Sequence, residues 1–408
     1  MKNVTTVPAR LWNTARPDLA TALLRLLWLL LWLHFAHAVC WLFLRFPDAY
    51  SWGEAFIKYT DGPMRRGLVG SVLHTLEPWI SARYVWTLTS AALTGVFLCK
   101  GWELLRRSFT PLCATALFFS PGIFAFLVRD SDLMGRKDIV VLALLVASMH
   151  LAIRAISGRM PPAPAVALAL GCWVPAFLTH EIALFFLPLP AILLVRAVDA
   201  PLWKNPCVYI IPALCALGLW FALRFPGTVE MQKTMFAQWQ ALIPQFTTPG
   251  GMRFVGQSLQ FNLADTARYW AAPSLVLSCV KAWALALAPV ALLFATYRFH
   301  HIHKAVMGTL LSLCAYLGAL LTPVALTVLI NDFGRVIAYS CLMFTVYAAL
   351  VFRLYAAQGR ALPRRPWSDG ASLDDPRVAL ATLLYAVSWK LWHYTSLTPD
   401  PTIVHTAF

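Results

Sequence analysis

Four short charged clusters interrupt an otherwise apolar chain, and each combines residue types that hold phosphate or move protons. They are Asp61-Gly62-Pro63-Met64-Arg65-Arg66, Arg129-Asp130-Ser131-Asp132 running on to Arg136-Lys137-Asp138, His180-Glu181, and Asp332-Phe333-Gly334-Arg335. Charge beside hydrocarbon is costly and tends to be retained for function. Forked guanidinium groups at Arg65, Arg66, Arg136 and Arg335, with Lys137, suit two-point binding of phosphate. The carboxylates Asp61, Asp130, Asp132 and Glu181 would repel phosphate if alone. They fit a general base, or ligands for a divalent cation such as magnesium or manganese that bridges to phosphate oxygens. The expected catalytic group is Asp61, Asp130, Asp132, His180 and Glu181. Arg65, Arg66, Arg136, Lys137, Asp332 and Arg335 are the expected phosphate and substrate binders, and Asp130, Asp132 and Glu181 the candidate metal ligands.

Each cluster also has a bland reading. Arg65 and Arg66 could snorkel as interfacial anchors. The second cluster could be a turn tied shut by salt bridges, His180-Glu181 a helix cap, and Asp332 with Arg335 a local ion pair at a helix start. A shared side of the membrane favours a single site over four separate accidents.

The elements that must position these residues are membrane spans. The chain has 408 residues, 60% hydrophobic and 12% charged, against roughly 25% charged in a soluble domain. Its mean hydropathy is +0.66. The formal charge of +15 resides mostly in short loops, where topogenesis and lipid headgroups account for it; nucleic acid is not implied. The nine cysteines form no CxxC pair and read as small buried hydrophobes.

A crossing needs roughly 20 apolar residues. Eleven segments are expected to cross: 21–44, 82–100, 110–128, 139–157, 163–179, 182–198, 206–224, 273–296, 305–330, 336–355 and 378–396. The fifth and sixth are short and interrupted by Pro175, Pro188 and Pro190; a re-entrant hairpin there would leave the later orientation unchanged. Basic residues in the short loops put the N-terminus inside. Residues 1–20 are then a cytoplasmic tail, 21–355 the membrane-embedded catalytic module, 356–377 a cytoplasmic linker, and 378–408 a last span with an outer tail. His300, His301 and His303 fall on the inner side and read as a solvated loop.

All four clusters then face outward, three of them directly before an inward-running helix whose free N–H groups suit phosphate. The fourth precedes Gly67–Leu76, whose Leu68, Val69, Val72, Leu73 and Leu76 repeat with helical spacing and predict an interfacial helix with Pro63 in its first turn. A second outer loop, 225–272, carries Trp239, Phe246, Phe254, Phe261, Tyr269 and Trp270 among glutamines. That mixture suits carbohydrate, or an amphipathic helix at headgroup level. There is no Walker sequence and no GxGxxG, so no nucleotide cofactor is expected.

The layout over about residues 20–355 resembles the GT-C class of polytopic glycosyltransferases. Asp61 matches that class's acidic residue in a helical first outer loop, Asp130-Ser131-Asp132 its Asp-x-Asp-like pair, and Arg335 its late arginine for the lipid phosphate. The chain also looks like bacterial surface-polysaccharide polymerases of the Wzy and EpsG type. The resemblance implies an all-α, polytopic transmembrane helical bundle in a bacterial inner membrane. It implies transfer of a sugar from a polyprenyl-phosphate-linked donor to a glycan or lipid acceptor at the outer face. In that reading Asp61 deprotonates the acceptor, Asp130 and Asp132 with Glu181 hold a cation or orient substrate, and the basic residues neutralise the leaving phosphate. His180 serves as acid–base partner or as ligand. Membrane lipids and the polyprenyl-linked sugar are the expected partners, with no nucleic acid. The alternative is a transporter or flippase of an anionic lipid or solute.

Overall fold

A computed structural model describes residues 19–47, 50–59, 62–257, 259–329, 332–366, 372–391 and 404–406. The fold is an all-α membrane bundle. Among the described residues, seven helices are long and apolar enough to cross a bilayer. They are α1 (Leu19–Leu44), α7 (Asp138–Ile156), α8 (Pro162–Thr179), α10 (Cys207–Arg224), α13 (Pro273–Thr296), α15 (Thr309–Leu329) and α16 (Phe333–Ala357). A less apolar helix, α4 (Ala82–Ser108), runs with them and begins at a Ser81 side chain that caps the Arg83 N–H. Its cap satisfies one of the orphan donors that any helix start leaves.

Three expected crossings are built differently. Residues 110–128 form α5 (Pro111–Phe118) and the single turn α6 (Phe126–Arg129), separated by Phe119–Ala125. Residues 182–198 are a 3₁₀ stretch, Glu181–Phe186, followed by α9 (Pro188–Val198). At about 2.0 Å per 3₁₀ residue and about 1.5 Å per α residue, these two pieces together approach the roughly 30 Å of a hydrocarbon core. The prolines explain the break: Pro188 and Pro190 lack the N–H an uninterrupted helix requires. The last expected span is only α17 (Pro376–Val387), after which Trp389–Leu391 pairs antiparallel with Val404–Thr406.

The central element is α16. Its apolar window is 89% buried, against 11–44% for the other six, so α16 is surrounded by protein whereas α10 faces outward along most of its length. It packs against α4, α7, α13 and α15, and also against α14 (Phe299–Met307). The histidine triplet lies on α14 and is not a solvated loop: His303 is buried, bonded to Ser312 at 2.7 Å and Tyr347 at 2.6 Å. Nearby, the segment read as a free linker is partly docked. The Arg298 N–H donates to the Pro363 carbonyl and the Arg365 N–H to that of Thr296.

The first long loop folds into α2 (Tyr50–Ala55) and α3 (Leu68–Leu76). The second contains α11 (Val229–Leu242), the 3₁₀ turn Gly250–Phe254 and α12 (Leu259–Trp270). Pro63 lies ahead of α3 and is not in its first turn, because residues 63–67 form the turn that presents Arg65 and Arg66. The two loops close on glycines. A Cβ on Gly53 would lie 2.6 Å from the Gly251 nitrogen, and one on Gly251 would lie 2.8 Å from the Glu54 Cβ. Trp239 stacks on Phe56 at 4.1 Å and donates its indole N–H to the Phe56 carbonyl, while Phe246 meets the same ring edge-on. Both rings are fully buried, so they anchor the loop and are not offered to a sugar.

Gly53→Ala is expected to cost about 2–4 kcal/mol, as overpacking against backbone does, and to lower the thermal midpoint of the detergent-solubilised protein. Gly171→Ala, in α8 with nothing within 4 Å of its added Cβ, is expected to be neutral or mildly stabilising. Equal midpoints for both variants would refute the glycine contact as a constraint.

Candidate functional site

Five segments converge at one end of the bundle: α2, the Arg65–Arg66 turn, the residues opening α7, the α8 terminus, and the first turns of α16. Their charges meet in an alternating chain. Arg65 lies 3.4 Å from Glu181, which Arg66 grips at 2.5 Å. Arg66 also approaches Glu54 at 3.7 Å, and Glu54 lies 3.4 Å from Arg136. Arg136 reaches Asp332 at 3.0 Å, Asp332 pairs with Arg335 at 3.0 Å, and Arg335 bonds Asp138 at 3.1 Å. The Tyr339 hydroxyl donates to the same Asp138 oxygen at 3.3 Å and ends the chain.

Burial makes the alternation necessary. A buried ion loses several kcal/mol of hydration, whereas one opposite charge about 4 Å away returns about 4 kcal/mol at an effective dielectric of ~20. A single partner barely offsets that loss, so interior members of the chain have two. Arg66 holds Glu181 bidentately, its Nε–H donating to Oε2 at 2.9 Å and an Nη2–H to Oε1 at 2.5 Å. Arg136 additionally lies over the Tyr50 ring, 5.0 Å from its centroid, a cation–π contact.

Backbone geometry aims these groups. Arg66 adopts φ +69°, a left-handed conformation that costs a non-glycine residue about 1–2 kcal/mol. The Lys137 ammonium donates to the Arg66 carbonyl at 2.6 Å and holds that conformation. Gly135, at φ +84°, supplies the reversal that brings Arg136 and Lys137 inward, and the Trp86 indole locks it by donating to its carbonyl at 2.7 Å.

His180 is a positioning group in this arrangement. Its Nδ1 accepts the Ile182 N–H at 3.1 Å, so the ring proton belongs on Nε2, which faces Glu54 at 3.4 Å. Burial and the Arg66 charge lower its pKa from 6.5 and leave it neutral. Neither nitrogen is a free base. Burial opposes ionisation of Glu54, but Arg136, His180 and Lys137 together hold it well below 4.5. Burial likewise opposes Glu181, and Arg66 and Arg65 overcome it. Lys137 moves the other way: burial lowers it from 10.5 to about 8.

The network is not closed. Asp138 Oδ1 and Arg335 Nε are buried without a hydrogen-bond partner among the described residues, while Glu54 Oε2 meets Arg136 Nε and Glu54 Oε1 meets His180 Nε2 only through long contacts of 3.4 Å. Such atoms cost about 1–3 kcal/mol each and concentrate at functional sites.

Of the residues expected from the sequence, Arg65, Arg66, Arg136, Lys137, His180, Glu181, Asp332 and Arg335 are brought together. Asp61 and the Asp132 side chain lie outside the described residues. Asp130 is fully buried just ahead of the 3₁₀ turn Ser131–Leu133. Arg129 serves elsewhere, donating to the carbonyls of Ala386 and Val387 at the end of α17. Glu181, read as a metal ligand beside Asp130 and Asp132, is occupied by two arginines. Among the described residues no group of three or more histidine, cysteine or acidic side chains is arranged for a metal. Glu54 was not anticipated, although a lone carboxylate inside Tyr50-Ser51-Trp52-Gly53-Glu54-Ala55-Phe56 is itself a signal. Compared with protein-family models, curated proteins and solved structures, the chain matches none.

Glu54 and Glu181 ionise lower in the folded state than in the unfolded one, so their contribution is present above about pH 4.5 and is lost as pH falls below it. The thermal midpoint is expected to begin falling below about pH 6.5, where the unfolded chain takes up the proton that burial denies His180, and to fall further below 4.5 as the two carboxylates are protonated. Glu54→Gln is expected to cost about 3–5 kcal/mol near pH 7 and to flatten the acid slope. An unchanged acid slope in that variant would overturn the assignment.

Proposed function

We propose that this protein transfers a sugar from a polyprenyl-phosphate-linked donor to a glycan or lipid hydroxyl at the outer face of a bacterial inner membrane. The observation that supports this best is the open ion network. Four arginines share carboxylates at a bundle end; Arg335 Nε and Asp138 Oδ1 lack a hydrogen-bond partner among the described residues, and Glu54 meets Arg136 and His180 only through contacts of 3.4 Å. A cluster serving stability alone gains nothing from orphaned atoms. One that exchanges a carboxylate for a phosphate needs donors that can be re-engaged.

In the proposed step the acceptor oxygen attacks the anomeric carbon and the bond from that carbon to the phosphate oxygen breaks. The electron pair leaves on the lipid phosphate, where Arg65, Arg66 and Arg136 stabilise the developing charge. The acceptor proton passes to a carboxylate of the first outer loop. Glu54 stands among the arginines, and Asp61 is the other carboxylate proposed for this role. At rest Glu54 is a weak base, because Arg136 and His180 hold its pKa down. A phosphate that neutralises Arg136 removes that restraint and brings the carboxylate closer to the range useful for proton transfer. His180, donating from Nε2, keeps the carboxylate aimed. Arg335 and Asp138 brace the far end of the chain from α16 and α7.

The test is turnover of a polyprenyl-linked sugar by the purified full chain. Arg66→Gln and Glu54→Gln are each expected to lower kcat at least about 100-fold, the scale of losing an electrostatic stabiliser or a base. Asp61→Asn and Asp130→Asn separate the two carboxylate roles read from the sequence. Wild-type movement of lipid-linked sugar across vesicles without any new glycosidic bond would replace transfer with transport.

A further inference from the structure

The charged chain ends beside an apolar groove that the reaction does not explain. A cavity of about 220 Å³ lies between α8 and α10, with Leu184 of the intervening 3₁₀ stretch at its floor. Its wall on α10 is Leu214, Leu217, Gly218, Phe221 and Ala222, one helical face at i, i+3, i+4, i+7 and i+8. On α8 it is Val174, Phe177 and Leu178, and Glu181 adjoins them just past the helix end. Arg65 and Glu181 are its charged residues. They stand at the accessible end of the ion chain, with side chains 14% and 18% exposed, whereas Glu54, Asp138, Arg136 and Arg335 are at 2–5%. Val174 and Leu217 are exposed along the groove, and α10 is the least buried of the crossing helices, so the groove faces the lipid.

We infer that this groove seats the hydrocarbon chain of a lipid phosphate whose phosphate displaces the Glu181 carboxylate from Arg65 and Arg66. The inference rests on the phosphate role proposed above and names where the lipid lies. A volume below the roughly 300–1,000 Å³ of a pocket that encloses a whole ligand suits a segment of chain. Gly218 sets the width: an added Cβ would meet Leu184 at 3.0 Å and Phe177 at 3.4 Å. Lipid tails are as apolar as the groove, so the chain contributes packing fit in place of hydrophobic gain, and by anchoring the molecule in the bilayer it concentrates its phosphate beside Arg65, an advantage that inorganic phosphate lacks. Affinity comes from the charge-assisted bonds of phosphate to the two guanidinium groups. Glu181 already occupies those donors as a resident anion. Arg65 is held for either partner by its contact with the Gln257 carbonyl, at 3.1 Å, and by its own N–H to Phe225.

The full chain in phosphatidylcholine nanodiscs would be probed for binding of undecaprenyl phosphate, undecaprenol and inorganic phosphate. Undecaprenyl phosphate is expected to bind at least about tenfold more tightly than either of the others. Leu217→Trp, which fills the groove from the lipid-facing helix at an exposed position, is expected to weaken it about tenfold at unchanged thermal midpoint, and Gly218→Leu is expected to weaken it at least as much with a lower midpoint. Glu181→Gln is expected to tighten it, since the competing charge is gone. Unchanged lipid binding in a folded groove variant, equal affinity for inorganic phosphate, or weaker binding by Glu181→Gln would overturn the inference. Lipid binding of the expected pattern without sugar transfer would remove the transferase and leave the groove. Sugar transfer with groove variants that bind normally would do the reverse.

Discussion

The alternating charge chain from Arg65 to Asp138 is the constraint to which the end of the bundle is built. A single partner barely offsets the cost of burying one of these charges, and each interior member is held between two of opposite sign. Because those members come from five separate segments, satisfying the charges also fixes the positions of the loops that carry them. Hydrophobic contact alone would do this poorly next to a bilayer, where apolar surface has an equally apolar alternative.

The surrounding structure absorbs the consequences. Glycine-to-glycine contact between α2 and the Gly250–Phe254 turn lets the two long loops approach closely enough to place Glu54. The buried pair of Phe56 and Trp239 fastens the second loop over the first. The left-handed Arg66 stores local strain, and the Lys137 ammonium on its carbonyl keeps that strain from relaxing. Strain held in this way, beside orphaned polar atoms, is characteristic of sites that bind or react.

The position of α16 connects the site to the rest of the bundle. Among the described residues it is the most enclosed of the seven crossing helices, and its first turns supply Asp332 and Arg335. Asp138 on α7 then links two packed helices through Arg335 and Tyr339. The groove-side end of the chain, by contrast, is made from a turn and a helix terminus next to the outward-facing α10. One end is braced by packed helices, while the other borders the lipid.

Much of this was legible in the residues themselves. An apolar composition and long unbroken runs dictate membrane helices, because backbone polar groups in lipid must be satisfied within the segment. Charge next to those runs marks the clusters, since it is too costly to keep idly; eight of the flagged residues meet in the structure. Glu54 went unremarked because it is one carboxylate in an aromatic stretch and gains meaning only from Arg66, Arg136 and His180, which lie far along the chain. The loop aromatics suited either carbohydrate or a headgroup-level helix because a sequence does not say which face a ring turns toward. Proline positions revealed breaks, but whether a broken segment still reaches across depends on how its pieces stack. Local sequence thus determined that apolar helices build a membrane bundle and which charges needed partners. Tertiary structure alone decided which partner each charge received, because ion pairing and groove formation depend on distances between segments that no local pattern encodes.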